Sequence, residues 1–427
     1  MDADERTLIV LMDGRVLGRV YYDRSKRVRL LYDDDYVTTP GAVPLSLSMP
    51  MVVRRYGNAV LGPWLEGLLP DRSTVLDRWR REFKVTDLSS FALMRHIGRD
   101  VAGAAMFVPP EQVDEALSAG AIVPLGAGDI AEWLRRLRSD PAAWEPVTGA
   151  GQFSLAGAQA KFAVHFDGVQ VGLPTGRIPT THILKPAIPD LADQDISEYM
   201  AMRAARLAGL AAPDVSVQMF DDERAFVVKR FDRLNTPSGW RRVHQEDMCQ
   251  ALGLGPSRKY EMYRGPSAAD VARVIRQSVT GGRDEEDAWR FIDALIFNAL
   301  IVGTDAHAKN YSFLLAPGQV RLSPLYDVNS YLPYQRPGHH PEMSMRIGAR
   351  TRPDLLTGQD WHECAKKVGV SGEQMIARVR ELADTVPEAF AKVAAEDEVR
   401  AFGSPLPDNL AGLVFEQAAR IRAKADT

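Results

Sequence analysis

The stretch Gly303-Thr304-Asp305-Ala306-His307-Ala308-Lys309-Asn310, with Asp327 downstream, holds the strongest candidates for chemistry in the chain. An acid and an amide five residues apart in a turn, with a second acid delivered by the next strand, suit phosphoryl transfer, in which phosphate charge is neutralised and an acceptor hydroxyl is oriented. In that reading Asp305 orients and deprotonates the hydroxyl, Asn310 holds a metal ion, and Asp327 bridges the metal to the phosphates. Asp and Asn are also ordinary turn residues, and the spacing by itself arises by chance in chains of this size. Context separates the two readings. The turn lies between an apolar helical pattern, Ala288 to Val302, and two short strand patterns, Tyr311 to Leu315 and Val320 to Leu322. That is the helix, loop, hairpin, acid order of a kinase catalytic lobe.

Other residues must bring phosphates and base to such a turn. Thr180-Thr181-His182-Ile183-Leu184-Lys185 alternates as a strand ending in a lysine, and Glu198 follows in a helical pattern from Ile196 to Leu210. A lysine is held over phosphates only if a carboxylate steadies it; the plainer reading is a solvated strand end. Ser154-Leu155-Ala156-Gly157-Ala158-Gln159-Ala160-Lys161 precedes a strand, Phe162 to Phe166, and its small side chains would let backbone amides approach phosphate, with Lys161 adding charge. One glycine is too few for a GxGxxG loop, so a small-residue turn is the competing reading. The strand Ala225 to Arg233 leaves this region, and its segment Lys229-Arg230-Phe231 fits a hinge whose peptide groups meet an adenine edge-on. Phe231 equally suits packing. Arg135-Arg136-Leu137-Arg138 could bind phosphate or complement a helix end, and Glu246-Asp247 reads as acids at the start of a helix from Gln245 to Leu252. His339-His340 has no third ligand at a useful spacing and reads as a solvated loop.

With 427 residues, 45% hydrophobic and 25% charged, the chain can bury more than one core. A net charge of -4 argues against nucleic-acid binding through its own overall field, so DNA contact is expected only through a partner. Cys249 and Cys364 are its only cysteines, too few for a disulfide scaffold or a structural zinc cluster, and they suit a reducing compartment. The acidic N-terminus does not read as a secretory signal and no apolar stretch is long enough to span a bilayer, so a cytoplasmic location without membrane contact is expected.

In order, Thr7 to Met12, Val16 to Tyr22 and Val28 to Tyr32 read as strands around an Asp13-Gly14 turn, followed by helical patterns at Ser73 to Phe83 and Leu88 to Ile97. The expected fold class is α+β, a bilobal protein-kinase-like fold with an added N-terminal β-rich subdomain and a mostly helical C-terminal lobe. The expected divisions are 1–108 for the N-terminal subdomain, 109–150 for a helical insertion ending in a linker from Pro141 to Gly151, 151–233 for the small lobe and 234–427 for the large lobe.

The motifs Ser154 to Gln159, Thr180 to Lys185, Val228 to Arg233, His244 to Gln250, Thr304 to Asn310 and Leu325-Tyr326-Asp327, in that order, make the chain resemble the HipA family of bacterial toxin kinases over nearly its whole length. The resemblance implies a serine/threonine protein kinase acting as the toxin of a toxin–antitoxin pair, using ATP and Mg2+ to phosphorylate a translation component such as an aminoacyl-tRNA synthetase. It implies Asp305 as catalytic base, Asn310 and Asp327 as metal ligands, and Lys185, steadied by Glu198, on the phosphates. Ala156, Gly157, Ala158, Gln159, Ala160 and Lys161 would cover the phosphates, with His307 and Tyr326 beside the nucleotide and Lys229, Arg230 and Phe231 at the adenine. Ser154 takes the position of an autophosphorylated serine that silences the enzyme. The implied partner is a helix-turn-helix antitoxin, HipB-like, that carries the DNA contact. Gly303 departs from ordinary protein kinases, which have a histidine there, and Ala160 stands where several relatives have an acid. A catalytically silent co-repressor acting with the antitoxin and a small-molecule or lipid kinase are the alternative functions.

Overall fold

The computed structural model describes residues 6–87, 89–144 and 153–425. The chain forms two compact units: one of Met1–Pro186, Gln218–Pro256 and Phe313–Val320, the other of Ala187–Val217, Ser257–Ser312 and Arg321–Thr427.

The first unit is built on antiparallel sheets. Thr7–Met12 pairs with Arg15–Tyr22 and with Met106–Val108, and Arg15–Tyr22 pairs with Val28–Tyr32. One face of this sheet buries Leu8, Val10, Leu17, Val20, Leu30 and Tyr32 against helices Asn58–Glu66 and Ser90–Ile97, which contribute Leu61, Trp64, Phe91 and Met94. Full burial of such side chains is worth about 1.5–3 kcal/mol each, enough to fix the register of a short-stranded sheet. In a second sheet, strands Glu223–Lys229, His182–Pro186, Phe162–Phe166, Val171–Pro174 and Ile122–Pro124 lie side by side in that order.

Within the segment 109–150, Ile122–Pro124 pairs with Val171–Pro174, and helix Ala127–Ser139 packs on strands Glu223–Lys229 and His182–Pro186. Of its expected linker, Ala143 and Trp144 are buried and residues 145–151 lie outside the described residues. Arg135 and Arg138 both pair with Glu223, whose carboxylate is only 4% exposed, which gives them a structural task at the end of their helix. Residues 233–242 form an unforeseen hairpin, Arg233–Thr236 with Gly239–Arg242, around Pro237-Ser238.

The expected helix from Gln245 begins later, after a strand His244–Asp247. Asp247 caps helix Met248–Ala251 by accepting from the Gln250 N–H. Glu246, one residue before the cap, is fully buried instead of complementing a helix dipole. It accepts from Ser46 Oγ at 2.5 Å, Leu47 N–H at 2.7 Å and Trp64 Nε1 at 3.4 Å. Burial pushes its carboxyl up to about 7 against these donors. A folded-state value above the unfolded one means that its stabilising contribution is complete below about 4.5 and is lost as pH rises through 7. Buried His244, depressed to about 4, works in the opposite direction over part of that range. The informative quantity is therefore the difference from Glu246→Gln. Wild type loses about 3 kcal/mol relative to the variant between pH 4.5 and 7, read by denaturant unfolding; parallel pH profiles would contradict this.

The second unit is mostly helical. Helix Asp284–Ile301 buries Phe291, Ile292, Leu295, Ile296, Phe297, Leu300 and Ile301 among helices Ala268–Ser278, Gly372–Ala394 and Leu406–Lys424. Such enclosure gives the chain that leaves its C-terminus a fixed starting point. Among the described residues no helix is long and apolar enough to cross a membrane. Cys249 and Cys364 are buried and form no disulfide.

Candidate active site

The candidate catalytic loop starts where helix Asp284–Ile301 stops. Val302 takes a left-handed φ of 53°, rare for a β-branched residue, and its N–H donates to the Asn298 carbonyl. The Gly303 N–H donates to the same carbonyl at 2.7 Å. A Cβ at position 303 would lie 2.1 Å from Asn298 Oδ1, so this turn leaves no room for the histidine found there in ordinary protein kinases. Ser344 Oγ donates to the Thr304 carbonyl at 2.6 Å, Ser330 Oγ donates to the Ile301 carbonyl at 2.6 Å, and the Tyr331 N–H donates to the Val302 carbonyl at 3.2 Å.

Within this frame Asp305 presents a side chain that is 63% exposed, while His307, Lys309 and Asn310 are buried. Asn310 Nδ2 donates to the Asp305 carbonyl at 2.7 Å, and the Asn310 N–H donates to the His307 carbonyl at 2.9 Å. With its amide nitrogen committed, Asn310 has its Oδ1 left to offer a cation. His307 Nε2 lies 3.7 Å from Asp305 Oδ1. Burial holds its imidazole below the ordinary value against the pull of Asp305 and Asp327, so the ring is neutral at pH 7. Its Nδ1 is buried with no hydrogen-bond partner among the described residues. A buried orphan of this kind beside two carboxylates suits a polar ligand.

Asp327 also has a left-handed φ, 57°, a cost that non-glycine residues accept where the surroundings over-determine the backbone. Those surroundings are visible on both sides. The Tyr326 hydroxyl donates to the Lys309 carbonyl at 2.6 Å and lies 2.5 Å from Ser312 Oγ, tying the residue before Asp327 to the catalytic loop. Ser197 Oγ donates to Asn329 Oδ1 at 2.7 Å on the other side. Glu198, next to Ser197, is buried and accepts from Gln194 Nε2 at 3.2 Å. Among the described residues no three His, Cys, Asp or Glu side chains gather into a metal site of their own. Magnesium needs less, since one or two protein oxygens plus phosphates and water complete its shell. Asn310 Oδ1 and the Asp327 carboxylate are that kind of donor set.

Sequence reasoning missed Tyr260. Its hydroxyl donates to Asp305 Oδ1 at 2.8 Å and its ring meets His307 edge-on at 5.0 Å. The Ala308 N–H donates to the Lys259 carbonyl at 3.1 Å, so this segment holds the loop from a second side. The run Lys259-Tyr260-Glu261-Met262-Tyr263-Arg264 has neither helical nor strand periodicity, and two aromatics among charges in an aperiodic run were the available clue.

The remaining candidates lie in the first unit. Ser154 is fully buried: its Oγ donates to the Leu68 carbonyl at 2.8 Å and its N–H to the Asp100 carbonyl at 2.9 Å. The Asp71 N–H donates to the Gly157 carbonyl at 3.0 Å. Gly157 has φ 111°, and a Cβ there would lie 2.7 Å from Lys161 Nζ, so only glycine admits this path. Lys161 Nζ donates to the Ala156 carbonyl at 2.7 Å and sits 5.7 Å from the centre of the Trp144 ring. Ala158 and Ala160 flank Gln159, whose Nε2 donates to the Pro186 carbonyl at 3.3 Å. Lys185 is buried on its strand opposite Phe226, with its Nζ 5.7 Å from that ring. Lys229 pairs in register with His182, and Phe231 follows the strand end.

Arg230 has a structural task. Its guanidinium is buried with Arg233 and Arg242 around the carboxylates of Asp100 and Asp232. Its N–H donates to the Thr181 carbonyl and its carbonyl accepts from the Arg233 N–H. Side chain and peptide are thus both engaged.

Comparison with known proteins gives the family. The model of the HipA-like C-terminal domain matches residues 153–390 and that of the HipA N-terminal domain matches residues 8–108. The chain is 32% identical over 427 residues to Y4mE of Sinorhizobium fredii, a protein assigned to the kinases, covering 98% of this chain and 99% of that one. It is 29% identical over 402 residues to the serine/threonine-protein kinase toxin HipA of Shewanella oneidensis, covering 91% and 89%. The solved complex of Shewanella oneidensis HipA with HipB and operator DNA contains a chain that superposes with a TM-score of 0.82 at 25% identity, covering 98% of each. Fold and relatives together define the class as that of a serine/threonine-protein kinase with an added N-terminal domain. The chain belongs to the HipA family.

Proposed function

We propose that the chain transfers the γ-phosphoryl group of ATP to a serine or threonine of a protein and is the toxin of a toxin–antitoxin pair. The observation that carries this reading is the catalytic loop, where a solvent-facing Asp305 is fixed by Tyr260 and by Asn310 while Asp327 is held in a strained left-handed conformation beside them. Asp305 accepts the proton of the attacking hydroxyl as the new P–O bond forms and the bond to ADP breaks. Neutral His307, in the tautomer protonated at Nδ1, donates to a phosphate oxygen through that nitrogen, which has no partner among the described residues. Magnesium, held by Asn310 and Asp327, would neutralise charge on the phosphates. Lys185, Glu198, Lys161 and the hinge keep, in this reading, the roles expected from the sequence.

By analogy with the complex of HipA, HipB and operator DNA, the partner is a helix-turn-helix antitoxin through which the chain reaches DNA. A translation component such as an aminoacyl-tRNA synthetase is the proposed substrate class. The test is transfer from labelled ATP with magnesium to proteins of a host lysate. A labelled polypeptide other than the kinase supports the reading, and absence of any transfer, to itself or to others, rejects it.

Ser154 is proposed as a site of self-modification. A phosphate cannot be added to a side chain with no exposed surface while Leu68 and Asp100 hold it, so modification must expel residues 153–157. Incubation with ATP and magnesium is expected to give one phosphate on Ser154 together with new protease cleavage between 153 and 161. The Ser154→Ala protein gives neither. Phosphate on Ser154 with an unchanged cleavage pattern would contradict the expulsion.

A further inference from the structure

The segment carrying Tyr260 does more in this fold than steady Asp305. It is fastened along its length to the catalytic side of its unit. The Glu261 N–H donates to the Ser344 carbonyl at 3.4 Å, the Arg346 N–H donates to Glu261 Oε2 at 2.7 Å, and the Gly265 N–H closes the turn on the Tyr260 carbonyl at 3.0 Å. Arg264 reverses the chain at φ 62°. Yet the tip of this anchored turn leaves Met262 67% and Tyr263 59% exposed, and large apolar side chains held out by a rigid turn next to a catalytic carboxylate are costly unless something covers them. The Tyr263 ring packs edge-on against Tyr260 at 6.1 Å, and Tyr260 bonds Asp305, so the apolar tip and the catalytic acid form one continuous surface.

Its charge is as marked as its apolarity. Arg258, Lys259 and Arg264 lie in the same stretch and Arg346 adjoins it, while Glu261, its acid, accepts from the Arg346 N–H and the Arg258 guanidinium braces the turn by donating to the Arg264 carbonyl. This local excess of positive charge sits on a chain whose net charge is -4. A metabolite or nucleotide acceptor would call for an enclosed cavity, whereas an open ledge of two apolar tips edged by cations fits an extended polypeptide.

Building on the kinase reading above, we propose that residues 258–264 are the acceptor platform: Met262 and Tyr263 receive an apolar side chain of the protein substrate, and Arg264 with its basic neighbours selects acidic residues beside the phosphorylated serine or threonine. Tyr260 is the positioning residue that joins platform to Asp305. One ring separates Tyr263 from the Asp305 bond, so contact falls roughly two to three residues from the acceptor at ~3.3 Å per extended residue.

The full-length protein tests this with ATP, magnesium and serine peptides that differ only in carrying Glu or Lys two and three residues from the serine. The Glu peptide is expected to be used at least about tenfold better in kcat/KM. The Met262→Ala/Tyr263→Ala double variant raises the KM for that peptide about tenfold with the KM for ATP unchanged, and Arg264→Glu shifts preference toward the Lys peptide. These side chains are exposed, so the variants fold. Equal use of both peptides by wild type, or an unchanged peptide KM in the double variant, overturns the platform and leaves the kinase reading standing. Transfer to no polypeptide at all removes both.

Discussion

Asp305→Asn is expected to lower phosphoryl transfer by about 10²–10⁴-fold while ATP binding stays close to wild type, because the substitution removes the proton acceptor and little else. Asparagine keeps an oxygen for the Tyr260 hydroxyl, and the Asn310 bond is made to the backbone carbonyl of residue 305, so the loop keeps its shape. The Asp305 side chain is mostly exposed, so its removal disturbs no packing. Single-turnover transfer and nucleotide titration on the same preparation separate the two quantities. A variant as active as wild type would show that the base is elsewhere. Equal loss of binding and transfer would give Asp305 a role in holding the nucleotide in place of one in the chemical step.

Asp100→Ala is expected to destabilise the first unit by about 3–5 kcal/mol, the cost of leaving buried cations without their counter-charge. Asp100 Oδ1 accepts from Arg233 at 2.6 Å and Arg230 at 3.3 Å, and Oδ2 accepts from the Thr180 N–H at 2.6 Å. Asp232 alone would then face Arg230, Arg233 and Arg242. Although burial by itself would raise it, these arginines hold the Asp100 carboxyl far below the usual range. A depressed folded-state value means that this stability is present above about 4 and is lost as pH falls through the folded value, so wild type and variant converge in strong acid. Denaturant midpoints at pH 7 and in acid check both size and sign. The variant also weakens the seat of Ser154, because the bridge between Asp100 and Phe153 and the bond from the Ser154 N–H both depend on where Asp100 sits. A loss under 1 kcal/mol would mean that the arginines find water or other partners.

What the sequence made legible was local. Thr7–Met12 is a short apolar, β-branched-rich run buried on both faces that ends at Asp13-Gly14, so strand and turn can be read without knowledge of the fold. The apolar pattern through Ala288 to Val302 located the long helix, and the loop after it follows from that helix and the strands beyond. What stayed hidden depended on contacts distant in sequence. Glu246 looked like a helix-capping acid because Ser46 and Trp64, which bury it, are about 200 and 182 residues away. Arg230 looked like a hinge residue because Asp100, its ion-pair partner, is 130 residues away. Gly303 reads in the sequence only as a departure from ordinary protein kinases, and its physical reason is the Asn298 side chain, which fills the space of the missing Cβ. Tyr260 lay in a run with no period, where pattern reasoning has nothing to count.

The central claim is that Asp305, Asn310 and Asp327 converge on a single magnesium nucleotide. A crystal structure of the protein with magnesium and a non-hydrolysable ATP analogue tests it most directly. The account predicts a magnesium ion about 2.1 Å from Asn310 Oδ1 and from a carboxylate oxygen of Asp327, with the terminal phosphate facing Asp305. A nucleotide whose metal is held by other residues, or whose terminal phosphate is turned away from Asp305, would contradict it.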